Sequence, residues 1–339
     1  MVYLFIIIDF IYLSVLQVNI LYEKLNENDN LTLTLMADFN RCTRESPNHS
    51  STSLLAPLTK QFPNRVNFYL YKPNSSIDGK DNLIPKRWRE GWGTQHTKIY
   101  LFDNDVLLTG ANLNSNYFEN RQDRYMYIKS NQSLSSYLKK FLTELSKFSY
   151  KVSCDNDDQQ PVPYTLNFNN DDGSLLYDKE KFSYSAKQSF INFTNENVKH
   201  NIIDEKDEQD DGSSTYLIPI IQSGLWNLRQ EEEVIKTLIE SCECIPGSKI
   251  DITSGYFSLC DDYKSYILNS NTPTNIIAAS PSANGFLNSK GISNLIPEAY
   301  THLEKKFYNS YINTPRNDSL KLKEWSKNGW TYHCKGECF

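Results

Sequence analysis

The sequence has no surplus of positive charge. Thirty-five Lys and Arg face 41 Asp and Glu, a formal charge of −6 over 339 residues. That argues against a nucleic-acid binder working by bulk electrostatics, while a local basic pocket for one phosphate stays possible. A zinc-type cysteine pattern is also missing. Cys42, Cys154, Cys242, Cys244, Cys260, Cys334 and Cys338 are odd in number and irregularly spaced, and Cys242 and Cys244 stand one residue apart. They read as reduced thiols of an intracellular compartment. The chain offers no carboxylate cluster for a metal, and neither a metal nor a cofactor is expected. Histidine is scarce, with five residues.

Long apolar runs are absent, with one exception at the start. "MVYLFIIIDFIYLSVLQV" is apolar over 18 residues, near the lower limit of the roughly 17–25 residues of a membrane span. Asp9 interrupts it, at roughly 3 kcal/mol if placed at a bilayer centre. No basic segment precedes it and the start is not Arg-rich, which argues against a secretory signal or a mitochondrial presequence. Three readings stay open here: a buried core segment, a membrane anchor, or a displaced start.

What is present is a globular composition, 39% hydrophobic and 13% aromatic, enough for two medium domains or one large one. Strands are predicted at 31–40, 65–72, 96–103, 105–112 and 124–130, with a tight Asp103-Asn104-Asp105 turn between two of them. Helices are predicted at 51–62 and 133–148. Residues 151–214, rich in Asn, Asp, Ser and Glu, are predicted to be a disordered acidic linker, though Phe182, Tyr184, Phe190 and Phe193 could dock on a surface. Beyond it, helices are predicted at 229–242, 261–270 and 294–312, and strands at 248–259 and 274–286.

The second half repeats the first. "LTLTLMADFNR" aligns with "KIDITSGYFSL", "RVNFYLYK" with "TNIIAASP", and "GWGTQHTKIY" with "NGWTYHCKGE". Each half thus carries Gly-Trp shortly before His-x-Lys: His96 and Lys98 in one, His333 and Lys335 in the other. Side chains on a strand alternate faces. His96 and Lys98 therefore point the same way and Asp103 the other, where it supports the backbone or orients a neighbour. Gly110 lets the next strand approach. Asn112 and Asn114 share a face and can donate to phosphate oxygens. Two histidines around one phosphodiester suggest nucleophilic catalysis: one neutral imidazole attacks phosphorus, and the other gives and takes the proton. Lysines and asparagines then stabilise the phosphoryl charge.

His96-x-Lys98-x4-Asp103 followed by Gly110-Ala111-Asn112 resembles the signature of the phospholipase D superfamily. "LMADFNRCTR", "HTKIYLFDNDVLLTGANLNSNYFENRQDRYMYI", "TSGYFSL", "ASPSANGF" and "GWTYHCKG" resemble one family within it, the eukaryotic CDP-diacylglycerol–glycerol-3-phosphate 3-phosphatidyltransferases, or phosphatidylglycerophosphate synthases. The resemblance covers roughly 20–150 and 215–337, with the linker between.

This resemblance implies an α/β fold of two phospholipase D-like repeats, 1–150 and 215–339, each a mixed sheet flanked by helices, with the active site at their pseudo-twofold interface. It implies His96, Lys98, Asp103, His333 and Lys335 as catalytic, Asn112 and Asn114 at the substrate phosphate, and Asp123 supporting a histidine, against a plain salt bridge with Arg121 or Arg124. Arg41 and Arg44 are candidates for the glycerol 3-phosphate headgroup, against exposed loop arginines. Asn284 is a candidate pocket residue. His49, His200 and His302 match no motif position. The implied activity transfers a phosphatidyl group from CDP-diacylglycerol to glycerol 3-phosphate in phosphatidylglycerol and cardiolipin synthesis. The implied enzyme is peripheral to the mitochondrial inner membrane and has no nucleic-acid partner. The alternatives are a hydrolytic phosphodiesterase and a catalytically dead lipid-binding remnant. Against the family pattern, the chain reads as truncated at both ends, with the second repeat incomplete.

Overall fold

The structure, a computed structural model, describes residues 2–8, 15–44, 50–73, 89, 91, 93–154, 164–201 and 217–339. Strand β1 (Val2–Ile8) leads to helix α1 (Val15–Glu27), strand β2 (Leu31–Asp38), the single turn α2 (Phe39–Cys42), helix α3 (Ser51–Gln61) and strand β3 (Val66–Tyr71). Strands β4 (Ile99–Phe102) and β5 (Asp105–Thr109) make a hairpin. After them come α4 (Ser115–Glu119), β6 (Arg121–Gln122), β7 (Tyr125–Ile128) and α5 (Gln132–Ser146). Strands β8 (Tyr150–Ser153) and β9 (Thr165–Phe168), helix α6 (Lys179–Asn201) and strands β10 (Gln222–Ser223) and β11 (Leu228–Arg229) follow. The rest is α7 (Gln230–Cys244), β12 (Ile250–Ser254), α8 (Asp261–Asn269), β13 (Thr274–Ala279), α9 (Ile296–Tyr311), β14 (Leu320–Trp325), β15 (Thr331–Tyr332) and β16 (Lys335–Cys338).

The chain divides into two compact units: Met1–Leu108 with Asn112–Asn114 and Met126–Leu228, and Thr109–Ala111 with Ser115–Tyr125 and Arg229–Phe339. The division is not the simple 1–150 and 215–339 split expected from the repeat, because 109–111 and 115–125 cluster with the C-terminal residues.

The first unit is built on an eight-stranded sheet in the order β7-β5-β4-β1-β2-β3-β8-β9. β1 lies inside it, parallel to β2 and antiparallel to β4. β1 is thus paired on both edges, an interior place in the sheet that an apolar run such as "VYLFIII" suits. Of the three readings left open for the N-terminus, residues 2–8 take the core one, and Ile6 is buried. Residues 9–14 lie outside the described residues. Among the described residues no helix is long and apolar enough to cross a membrane.

One face of this sheet, through Leu33, Leu35 and Ala37, packs on Leu25 of α1 and on Leu55 and Leu58 of α3. α3 begins where Ser50 Oγ accepts from the Ser53 N–H at 3.0 Å. The other face, through Met36 and Leu101, packs on α5, α6 and Trp226. α5 presents Leu134, Leu138, Leu142 and Leu145 at helical spacing, and Asn131 caps its start.

Helix α6 corrects the expected linker. Residues 164–201 are ordered, and Phe182, Ala186, Phe190 and Phe193 form one buried stripe on α6. Phe190 stacks on Trp226 with ring centroids 5.0 Å apart. The polar flanks at 155–163 and 202–216 dominate the composition of the segment, and they lie outside the described residues.

The second unit holds a four-stranded sheet in the order β14-β13-β12-β16 and the small pair β15-β6. Its core joins Ile250, Ile252, Ile276 and Leu320 to Ile235 and Ile239 of α7 and to Phe307 and Tyr311 of α9. The repeat is present in the topology. Each unit has three parallel strands joined through helices (β1-α1-β2-α3-β3 and β12-α8-β13-α9-β14), with the strand after His-x-Lys antiparallel to the first. The register expected from sequence is one strand off. β12 corresponds to β1, not to β2, because β12 pairs with β16 as β1 pairs with β4. Local sequence does not carry which strands lie side by side, so sequence alone does not choose the partner.

Candidate active site

Within the first unit, residues 93–98 are irregular chain entering β4, so His96 and Lys98 do not lie on the strand as expected. Asp38, fully buried at the end of β2, holds this segment: its Oδ2 accepts from the Gln95 N–H at 2.9 Å, and its Oδ1 from the Arg41 N–H at 3.0 Å. His96 is exposed and Lys98 is buried. Lys98 Nζ turns back to donate to the His96 carbonyl at 2.6 Å. His96 borders a cavity of about 520 Å³, walled by Tyr71, Gln95, Tyr137, Phe141 and Trp226.

Asp103 sits at the far end of β4 from His96. Its Oδ1 accepts from the Tyr3 N–H at 2.7 Å, and its own N–H donates to the Tyr3 carbonyl at 2.9 Å. It occupies the left-handed region (φ 55°) of the hairpin turn, which Asp tolerates better than most residues. The geometry is that of a clamp on the edge of β1. β5 ends at Thr109, so Asn112 and Asn114 lie in the bend after it rather than on a strand face. Asn112 is buried and Asn114 half-buried, with the Asn114 N–H donating to the Asn112 carbonyl at 2.9 Å. Arg41 and Arg44 are half-buried beside α2.

The second unit assembles a denser cluster. His333 is buried, with Nδ1 2.7 Å from Asp123 Oδ2. Asp123 Oδ1 accepts from the Arg124 N–H at 2.8 Å. The His333 N–H donates to the Gln122 carbonyl at 2.8 Å, and β15 runs parallel to β6, so backbone pairing brings residue 123 to residue 333. Lys335 Nζ donates to the His333 carbonyl at 2.7 Å, the same turn-back that Lys98 makes on His96, and lies 2.9 Å from His333 Nε2. Lys335 keeps much of its stem exposed, but its ammonium is drawn inward.

Gly110 has a tighter role than strand approach. A Cβ there would lie 2.6 Å from Asp123 Oδ1, so only glycine leaves room for the carboxylate. Asn284 is buried, and its Oδ1 accepts from the Phe286 N–H at 3.0 Å, which makes it a turn-former.

Three residues that sequence reasoning did not single out complete the two sites. Tyr117 and Tyr256 set their rings edge-on to His333, at 5.1 and 5.8 Å between centroids, and Asp38 anchors the His96 segment. Arg121 lies over the Tyr117 ring at 4.4 Å and donates from Nε to Thr331 Oγ1 at 3.0 Å. Nothing in the sequence marks the two tyrosines among 22. Asp38, an acid closing an apolar strand, had a weak signal.

Burial pushes the His333 imidazole below its ordinary value, against the pull of Asp123. Burial also lowers Lys335 to about 8, with Asp123 opposing. His333 is therefore neutral near pH 7, with Nδ1 against Asp123 and both ring nitrogens within hydrogen-bond distance of Lys335 Nζ. Among the described residues no group of three or more His, Cys, Asp or Glu is placed to hold a metal ion.

No family model matches the chain. Curated proteins do. The chain is 35% identical over 330 residues to the CDP-diacylglycerol–glycerol-3-phosphate 3-phosphatidyltransferase of Saccharomyces pastorianus, covering 93% of this chain and 61% of that protein. It is 33% identical over 322 residues to the probable enzyme of that name from Dictyostelium discoideum, covering 92% and 54%. It is 30% identical over 324 residues to the mitochondrial enzyme of that name from Homo sapiens, covering 91% and 56%. The chain thus spans a little over half the length of these relatives. Among solved structures, the phosphatidylserine synthase of Haemophilus influenzae superposes with a TM-score of 0.65 at 19% identity, over 99% of this chain and 70% of that one. It shares the mixed α/β fold described above. Over about nine-tenths of its own length the chain is therefore similar, at 30–35% identity, to proteins named CDP-diacylglycerol–glycerol-3-phosphate 3-phosphatidyltransferase.

Proposed function

We propose that the protein transfers a phosphatidyl group from CDP-diacylglycerol to sn-glycerol 3-phosphate, giving phosphatidylglycerophosphate and CMP. The observation that carries this reading is the buried Asp123–His333–Lys335 cluster, in a chain whose relatives bear that name. His333 Nε2 attacks the phosphorus bearing the diacylglycerol. The bond to the CMP oxygen breaks, and His96 protonates the departing CMP. The glycerol 3-phosphate hydroxyl then attacks the phosphohistidine, gives its proton to His96, and the P–N bond breaks. Asp123 holds the Nδ1 proton and steadies the imidazolium character that develops. Lys98, Lys335, Asn112 and Asn114 stabilise phosphoryl charge, and Arg41 and Arg44 meet the acceptor's phosphate. The mitochondrial naming of vertebrate relatives supports a mitochondrial location, and the inner membrane is the site that the family resemblance implies.

CDP-diacylglycerol labelled in its lipid-bearing phosphate, supplied with and without glycerol 3-phosphate, tests the reading. Labelled phosphatidylglycerophosphate that forms only with the acceptor is the expected result. Phosphatidic acid instead would make the protein a hydrolase, and no turnover would make it a binding remnant. His333→Ala should abolish the acid-labile labelled protein, while His96→Ala should slow its formation.

A further inference from the structure

In the second unit, the chain after Asn284 forms a protruding loop based on the aromatic wall of the candidate site. Phe286 contacts the Tyr256 ring at 5.5 Å, and Tyr256 in turn stands edge-on to His333. A Cβ on Gly285 would lie 2.7 Å from the Tyr256 hydroxyl, so the loop leaves the site with no space between them. The loop is shaped by its own turns. The Leu287 N–H donates to the Asn284 carbonyl and the Ser289 N–H to the Phe286 carbonyl, both at 3.0 Å, and Asn288 and Gly291 adopt positive φ of 61° and 66°. It closes with a 3-10 turn, Gly291–Leu295, that runs into α9.

What this shaped loop presents is apolar. Leu287, Ile292 and Leu295 are 45%, 68% and 57% exposed. The only charged side chain from Pro281 to Pro297 is Lys290, and it is exposed. In a chain of net charge −6, a loop that combines exposed Leu and Ile with one Lys, the next acid being Glu298 in the first turn of α9, carries no net negative charge to oppose an anionic lipid surface. Apolar side chains enter the boundary between headgroups and acyl chains while basic ones meet the phosphates.

We propose that the loop Gly285–Ile296 docks the protein on an anionic bilayer, with Leu287, Ile292 and Leu295 entering the interface beside His333. The proposal deepens the lipid-substrate reading and rests on it: a phosphodiester that stays in a membrane must be presented to His333 from the bilayer surface.

Sedimentation with phosphatidylcholine vesicles, with and without phosphatidylglycerol and without substrate, tests it. The protein should bind the anionic vesicles. Ile292→Asp with Leu295→Asp should weaken binding at least about 30-fold, and Lys290→Glu roughly 5-fold. Leu16→Asp with Ile20→Asp, on the exposed face of α1, should leave binding within about 2-fold. Circular dichroism melting checks that each variant folds. As an independent measure, Leu295→Trp should shift its emission to the blue and be quenched by brominated lipid.

No vesicle binding by the unaltered protein, full binding by the double variant, or loss of binding only in the α1 variant would each overturn the proposal. So would a change of oligomeric state in buffer caused by the loop variant, which would make the loop a contact between copies. Turnover in detergent micelles separates this from the transferase reading. Loop-dependent binding without turnover sinks the activity and keeps the docking surface, and turnover with loop-independent binding does the reverse.

Discussion

Gly110 and Asp123 show how narrowly one side chain is seated. The Asp123 carboxylate fills the space a Cβ would take at residue 110, and the same carboxylate holds His333 Nδ1 at 2.7 Å. Gly110→Ala is therefore expected to push Asp123 off His333. A displacement of about 1 Å at such a site costs on the order of 100-fold in rate. Turnover together with the NMR titration of His333 would check this, since a purely structural loss would leave the histidine's pKa in place. The same cluster predicts the pH profile. In the proposed reaction His333 must be neutral to attack, and burial holds it below the ordinary 6.5, so the acid limb should fall below pH 6.5. Lys335 must keep its charge to meet the phosphoryl oxygens, so with a pKa of about 8 activity should decline again above that pH. A rate that is flat from acid to alkaline pH would remove the two-histidine mechanism.

Among the elements, α6 and α9 carry the clearest tests. α6 holds its place through the stripe that contains Phe190, which is fully buried. Phe190→Ala should cost about 3–5 kcal/mol in urea unfolding, the usual range for emptying a buried ring site. A loss below about 1 kcal/mol would mean α6 is only loosely attached. On α9, Glu304 is buried, and burial first, then Glu324 on β14, raise it to about 7. Its folded pKa lies above its unfolded one, so the folded state binds the extra proton, and stability is lost as pH rises from about 4.5 to 7. Glu304→Gln should stabilise the protein by on the order of 1–3 kcal/mol at pH 8 and by almost nothing at pH 4. Equal effects at both pH values would show that the carboxyl's charge is not what matters.

At the scale of the whole molecule, charge limits the substrate. A phosphodiesterase acting on DNA or RNA would need a basic track to hold the polyanion, whereas this chain carries −6. The basic residues near the candidate site are few and individually directed: Lys335 on His333 and Arg121 over Tyr117. Neither single- nor double-stranded DNA is expected to bind or be cleaved at physiological salt. Retention on a DNA column at about 0.15 M salt, together with nuclease activity that His333→Ala removes, would reverse this conclusion.

Sequence by itself marked the paired His-x-Lys motifs and most of the element types. His-x-Lys twice, each after Gly-Trp, is a pairing that needs no coordinates. The 3.6-residue stripe of α5 and the apolar alternation of β2 follow from local periodicity. Only the tertiary structure decided three other matters. It assigned β1 as the counterpart of β12, because the correspondence depends on which strands lie alongside, which local sequence does not carry. It made 164–201 part of the first unit's core, because a stripe of four small and aromatic residues gains its stability from Trp226 and α5, which lie elsewhere in the chain. And it placed Asp103 at the far end of β4 from His96 while bringing Asp123 to His333. Seven residues of extended chain carry Asp103 to the far end of β4, whereas the parallel pairing of β6 with β15 closes a sequence gap of 210 residues to hydrogen-bond distance.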